Sequence, residues 1–255
     1  MNIKDQIYFI LESTVKKNGS SVKINDFNIQ LPFRFRHYFQ RDYEVHNFSF
    51  FRKHVRQGMT CIDVGAHFGL FSVYMAKFSE GTVYSFEAAP GTFKILLKVI
   101  ELNKFSDRIK PINAAVSNCN GKAAFFIGDQ VGTPSNSLVN DLNPDFPKKT
   151  DYVELVSLDD FASRQNIKFD FLKIDAEGAE FEVLQGARDS IVLDRPFIIL
   201  SVHPQLIIMR GSTQEMIWEC ITGMDYKILL DDKEIDKDSF CNRKTLFDVH
   251  LISNK

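Results

Sequence analysis

Thr60-Cys61-Ile62-Asp63-Val64-Gly65-Ala66-His67-Phe68-Gly69-Leu70-Phe71 is the stretch whose reading decides the fold. The apolar, β-type residues Cys61, Ile62 and Val64 surround an acid, Asp63. Two glycines follow, and then an amphipathic run begins, Leu70-Phe71-Ser72-Val73-Tyr74-Met75-Ala76-Lys77. That order predicts a buried strand, a tight turn and a helix. Gly65 and Gly69 have access to backbone angles closed to other residues and let a ligand approach the main chain. The helix behind them offers free N–H groups to a carboxylate or phosphate.

Asp63 narrows the choice of ligand. A dinucleotide fold places its pyrophosphate at this turn and requires Gly-x-Gly-x-x-Gly. Here His67 and Leu70 stand where two of those glycines belong, and a carboxylate at Asp63 sits badly against an anionic pyrophosphate. It suits a ligand that carries an ammonium and a sulfonium. Asp-x-Gly-x-x-x-Gly after a strand resembles the S-adenosylmethionine-binding loop of class I methyltransferases, with Gly65, Ala66, His67, Phe68 and Gly69 as the turn against the cofactor. The competing reading is an ordinary strand-turn-helix whose glycines serve packing.

Outward from this turn, Thr82-Val83-Tyr84-Ser85-Phe86 reads as a strand ending in Glu87, followed by Ala88. The distance from Gly65 to Glu87 is about that at which nucleotide-binding α/β units place a ribose-binding acid. Ile109 to Ile112 is a third strand, and Asn113 and Ala114 fall where an adenine ring would lie, an amide for its edge and a small residue for its face. Phe171-Leu172-Lys173-Ile174 is a further buried strand that ends in Asp175, with Glu177-Gly178 and a helix after it. Pro196 to Val202 ends at His203-Pro204. Open α/β sheets bind ligands at the carboxyl ends of their strands, so Asp63, Glu87, Asp175 and His203 are expected on one rim.

Residues 1–50 read as an N-terminal extension: a weak helical pattern over 3–17, a hairpin turning at Asn25-Asp26, and a basic-aromatic stretch over 32–41 read as an edge strand. Residues 51–255 read as the main domain. Within it, 128–149 is a polar, proline-containing insertion with the character of a lid. Segments 123–127 and 152–156 are expected to pair, Ser157 to cap a helix, and 226–230 and 246–252 to form the last strands.

Composition fits a globular chain of 255 residues with a full core, at 44% hydrophobic and 25% charged. A formal net charge of -2 supplies no field for nucleic acid or an anionic membrane. No apolar run is long enough to span a bilayer. Cys61, Cys119, Cys220 and Cys241 are scattered without metal-type pairs, which predicts free thiols in a reducing cytoplasm.

Taken together, Tyr43-Glu44, the 58–69 turn, Ser85-Phe86-Glu87, Asn113-Ala114-Ala115-Val116, Ser135-Asn136-Ser137-Leu138, Ser157-Leu158-Asp159-Asp160 and 171–180 resemble the FkbM family of S-adenosylmethionine-dependent methyltransferases. His67 departs from that pattern, where the family usually has Asn. So does Ser201-Val202-His203, where many members carry a Glu at the strand end. The resemblance implies an α/β, Rossmann-like, doubly wound sheet of seven strands with the last antiparallel. It also implies methylation of a hydroxyl on a sugar, polyketide or similar small molecule or glycan.

Such transfer benefits from a general base within hydrogen-bond reach. Asp175 and His203 are the candidates, with Glu177 third; histidine titrates near neutrality, and Asp175 also suits the methionine ammonium. A metal-assisted transfer, with Asp175, Glu177 and His203 around a hard cation, competes with this reading, although nothing fixes a complete coordination shell and no metal is expected. An NAD- or nucleotide-sugar-dependent enzyme and a non-catalytic binding module are the competing function classes.

Overall fold

The computed structural model describes residue 14, residues 19–128, residue 138 and residues 148–254. A hairpin of β1 (Ser20–Ile24) and β2 (Phe27–Leu31) comes first, turning at Asn25-Asp26 as expected. A 3-10 turn over Phe33–Phe35 and α1 (Val45–His54) lead into the core. The expected edge strand over 32–41 is therefore replaced by turns. Pro32 has no N–H to give a ladder, and Arg36 folds back to donate to the Phe33 carbonyl at 2.7 Å while stacking over that ring. The helix expected over 3–17 lies outside the described residues.

The decisive stretch folds as read: β3 (Cys61–Val64), the glycine turn, then α2 (Leu70–Ser79). β4 (Val83–Phe86), α3 (Pro90–Asn103) and β5 (Ile109–Ile112) follow. β6 (Ala115–Val116), β7 (Gly121–Gly128) and β8 (Lys148–Val156) form a separate small sheet, in which β7 and β8 pair antiparallel as expected. Of the insertion over 128–149, only Gly128, Leu138, Lys148 and Lys149 belong to the described residues. The chain continues through α4 (Leu158–Gln165), β9 (Phe171–Ile174), α5 (Glu180–Gly186), α6 (Arg188–Asp194) and β10 (Phe197–Val202). It ends with α7 (Pro204–Met209), α8 (Gln214–Gly223), β11 (Tyr226–Leu230), β12 (Lys233–Glu234), α9 (Lys237–Cys241) and β13 (Phe247–Ser253). Ser157 stands at the N-cap of α4, but its hydroxyl donates to the Gly186 carbonyl at 2.9 Å instead of capping the helix.

The main sheet has the order β12-β11-β13-β10-β9-β3-β4-β5. Pairs from β10 to β5 are parallel, and β13 runs antiparallel between β10 and β11. The seven strands anticipated are present, and β12 adds an eighth, a two-residue return against Leu229 and Leu230. The chain winds outward from β3 to β5 in one direction and from β9 to β10 in the other. The switch point is thus between β3 and β9, where such sheets open a crevice.

Alternation along the buried strands fills both faces. Ile62, Leu172 and Ile198 face a core with α4–α6 and α8, whereas Cys61, Phe171 and Ile199 face one with α1–α3. The hairpin belongs to the second core through Ile24, Phe27, Ile29 and Leu31. Tyr74 is packed edge-on by Phe27 at 5.3 Å and Phe48 at 4.4 Å. This packing carries residues 33–48 across the sheet's carboxyl edge, where they become part of the site.

Candidate functional site

Parallel register makes the site. Val64 is level with Phe86 on one side and Ile174 on the other, so Gly65, Glu87 and Asp175 emerge side by side. They line a cleft of about 300 Å³, closed from the N-terminal side by Tyr38, Tyr43 and Glu44 and from the C-terminal side by Leu246 and Asp248. A smaller pocket of about 60 Å³ adjoins it, lined by Ala88, Ala114, Phe125 and Leu138 and sharing Gly65, Glu87, Asp175 and Glu177. The two lie side by side along the strand ends, with these four residues between them.

Gly65 has φ +75°, and a Cβ there would collide with the Asp175 carbonyl oxygen. The turn after β3 therefore rests directly on the end of β9. The Gly65 and Ala66 N–H groups donate to the Phe86 carbonyl. His67 takes φ +51°, a conformation in which His, like Asn, is enriched. Its N–H donates to Glu87 Oε2 at 2.9 Å, and its ring stacks on Phe68. Phe68 is itself buried against Phe35 and Tyr38, in the wall of the cleft. Gly69 is set against Leu96, a packing role.

Glu87 Oε1 accepts the Ala89 N–H at 2.9 Å. Burial pushes this carboxyl up to about 7, against the pull of its two backbone donors. Asn113 gives its amide N–H to the carbonyls of Glu87 and Ala88 at 2.7 and 3.0 Å. Its amide nitrogen thus holds the Glu87 loop in place instead of facing the second pocket, whose wall is Ala114.

Asp63 is fully buried. Its Oδ2 accepts from the Ser72 hydroxyl at 2.5 Å, which accepts from Ser85 at 2.8 Å. Its Oδ1 has no hydrogen-bond partner among the described residues. Burial raises the Asp63 pKa, and Lys173 opposes that rise from the register-matched position on β9. Lys173 is itself 4% exposed, with Nζ 3.1 Å from Asp175 Oδ2. Burial alone would lower its pKa, but Asp175, Glu44 and Asp63 outweigh it and keep the ammonium charged. Asp175 stays ionised for the complementary reason: burial raises its pKa, and Lys173 and His203 bring it below the usual value.

Glu44 and Asp248 extend this network. The Asn47 amide donates to Glu44 Oε2 at 3.1 Å and Asp248 Oδ2 at 2.9 Å, and the Ser201 hydroxyl donates to Asp248 Oδ1 at 2.7 Å. Asp248 stands opposite Ser201 across the β10–β13 pair. An acid thus reaches the end of β10 from the neighbouring strand, although Ser201-Val202-His203 itself carries none.

His203 sits among three carboxylates. Its Nδ1 is 2.7 Å from Oε1 of the fully buried Glu180, and its Nε2 is 3.6 Å from Glu177 and 3.7 Å from Asp175. Burial alone would lower its pKa, but the Glu180 hydrogen bond and the three negative charges lift it to about 9. At neutral pH the ring is therefore an imidazolium in the free protein, not the neutral acceptor expected from an unperturbed histidine. Asp175, Glu177 and His203 bring one atom each within 4.8 Å of one another, near enough to surround a divalent cation. Ion pairing already accounts for the arrangement, and we assign no metal to it.

The structure thus brings Asp63, Gly65, Glu87, Asp175, Glu177 and His203 to one cleft. Asp248 and Tyr38 join them, and the fully buried Glu180 backs His203, without a local sequence pattern that marks them; Lys173 has one such sign, a lysine inside an otherwise apolar strand. No helix among the described residues is long and apolar enough to cross a membrane, and the four cysteines are free.

The profile of the Methyltransferase FkbM domain matches residues 63–228, well over half of the chain. The chain belongs to the FkbM methyltransferase family. Relatives include "Methyltransferase sdnD" of Sordaria araneosa, 29% identical over 154 residues, covering 49% of this chain and 59% of that protein. "Methyltransferase 1" of Beauveria bassiana is 29% identical over 147 residues, covering 50% and 58%. The matched stretch spans less than two thirds of either relative. Among solved structures, the FkbM methyltransferase of Methylobacillus flagellatus aligns with a TM-score of 0.51 at 16% identity, over 80% of this chain and 50% of that one. A putative rRNA methylase of Clostridium thermocellum aligns at 0.50 with 11% identity, over 82% and 93%. These likenesses establish a Rossmann-like methyltransferase fold. The FkbM match begins at Asp63 and ends in β11, so Tyr38, Glu44 and Asp248 are cleft residues outside it.

Proposed function

We propose that this FkbM-family chain binds S-adenosylmethionine and methylates a hydroxyl of a small molecule or glycan. The observation that carries the reading is the pair of buried carboxylates flanking the glycine turn. Glu87 is held by two backbone donors, and Asp63 Oδ1 has no partner among the described residues. Lost burial energy at such groups is recovered by a ligand that presents hydroxyl and ammonium donors. The bare Cα of Gly65 lets the turn after β3 sit against the Asp175 carbonyl, which keeps the acids at the ends of β3, β4 and β9 in one crevice. Glu87 would hold the ribose hydroxyls, Ala88 and Ala114 the adenine, and Asp63 and Asp175 the ammonium end.

Bound there, the cofactor supplies a methyl group already activated for displacement, so positioning can provide much of the rate. The acceptor's place is the outer half of the cleft. Tyr38 offers a partly exposed ring, and Glu177 and Asp248 offer carboxylate oxygens, a set suited to a hydroxyl-bearing ring. Asp175 and the imidazole of His203 are within reach of a hydroxyl proton there, with Glu177 beside them.

Glu87→Ala is expected to weaken S-adenosylmethionine at least about tenfold. Hydrogen bonds to charged groups contribute about 1.5–3 kcal/mol each, and about 1.4 kcal/mol is a factor of ten. Titration calorimetry that finds the same affinity in this variant as in the parent would remove Glu87 from the site.

A further inference from the structure

We propose that His203 carries a proton in the free protein and surrenders it from Nε2 when the cofactor binds, so that the ring becomes a base only in the loaded cleft. This deepens the S-adenosylmethionine reading above and rests on it.

The geometry of the free protein explains why the proton is held. Glu180 on α5 faces Nδ1, and Asp175 and Glu177 on the loop after β9 face Nε2. Around this group, Lys173 is engaged with the far oxygen of Asp175, His67 lies toward Asp175, and Tyr38 lies toward Glu177. A neutral ring that donates from Nδ1 to Glu180 would aim the Nε2 lone pair at two carboxylates. Protonation turns that repulsion into attraction, in a site where His203 is 11% exposed by side chain and water screens little. The imidazolium is accordingly favoured up to about 9.

The same geometry explains why the proton would leave. Gly65 rests on the Asp175 carbonyl, and Asp175 and Glu177 line the crevice together with Gly65 and Glu87. A cation settled along Gly65 to Glu87 therefore lies beside the two carboxylates that face Nε2. S-adenosylmethionine carries a sulfonium and an ammonium against a single carboxylate, a net positive charge. Asp175 and Glu177 would gain a second cation to pair with, and Nε2–H would feel repulsion from it. Glu180 still accepts from Nδ1–H, so the ring keeps its orientation and tautomer while Nε2 is bared. The charge then balances through turnover. As the oxygen–carbon bond forms and the sulfur–carbon bond breaks, the acceptor's hydroxyl proton passes to Nε2, and the imidazolium of the free protein is restored as the sulfonium charge is lost.

Proton release is measured directly by titrating S-adenosylmethionine into the full chain in phosphate, HEPES and Tris, whose protonation enthalpies differ. A pH of about 8 lies between the values for Glu87, about 7, and His203, about 9, so Glu87 is already ionised and His203 is not yet neutral. The expected result is release approaching one proton per cofactor bound. It is markedly smaller for S-adenosylhomocysteine, which lacks the sulfonium charge. Affinity for S-adenosylmethionine should also rise by up to about tenfold per pH unit below the His203 pKa. His203→Gln should bind the cofactor without release. Glu180→Gln, which keeps the ring but removes the charge behind it, should lower the release as well. Heats independent of buffer in the parent protein, or undiminished release in His203→Gln, would overturn the inference while leaving the cofactor assignment intact. Absence of S-adenosylmethionine binding would overturn that assignment and the inference with it.

Discussion

Lys173→Met is expected to lower the free energy of unfolding by roughly 3–5 kcal/mol near neutral pH, the cost of removing one partner from a buried charge cluster. Methionine matches the stem of lysine in length, so the volume lost is small and the effect is electrostatic. Asp63 is fully buried and Asp175 and Glu44 are partly so, and each draws on the same ammonium. Without it their desolvation is uncompensated, and their pKa values rise above those of the unfolded chain. A carboxyl with a raised folded-state pKa loses stability as pH rises through the interval between the two values. The deficit relative to the parent should therefore be largest at about pH 7 and narrow toward about pH 4, where these groups protonate in both states. Urea unfolding of both proteins across that range checks it; a deficit that is constant with pH would show that packing, not charge, is what Lys173 contributes.

Gly65→Ala is expected to abolish cofactor binding and to destabilise the fold by about 1–3 kcal/mol. Two causes add. Alanine at φ +75° is strained, and its Cβ would meet the Asp175 carbonyl oxygen, which is backbone and cannot swing aside. Relief requires the turn after β3 and the end of β9 to part, which moves Glu87's donor at His67 and the Asp175 carboxylate out of alignment. Gly69→Ala is the contrast. Alanine at φ +80° is strained there too, but its Cβ would press on the flexible tip of Leu96 and not on backbone, so a smaller loss of stability and retained binding are expected. Thermal unfolding and calorimetry on the pair distinguish the two roles, and equal binding by Gly65→Ala and the parent would return this turn to a packing motif.

The strand-end acids are legible in the sequence because each is a local pattern: an apolar run, then Asp63, Glu87 or Asp175, then a turn. Local pattern also locates His203, but not its charge. That depends on Glu180 in the first turn of α5, where an acid ordinarily reads as a complement to the helix dipole. Asp248 carries no local sign at all, since it reaches the cleft by antiparallel pairing opposite Ser201. The 32–41 stretch misleads because alternating Phe and Arg mimic a strand's period, while Pro32 and the Arg36–Phe33 contact commit it to turns. Asn113 does stand beside the crevice, yet its amide nitrogen is taken by two main-chain carbonyls that sequence alone does not reveal.

Whether the crevice at the ends of β3, β4 and β9 is an S-adenosylmethionine site is tested most directly by equilibrium dialysis. Labelled S-adenosylmethionine is dialysed against the full chain, with S-adenosylhomocysteine or NAD as competitor. Saturable binding of one molecule per chain is expected, displaced by S-adenosylhomocysteine and indifferent to NAD. Absence of S-adenosylmethionine binding, or its displacement by NAD at comparable concentration, would contradict the assignment of this crevice to the cofactor.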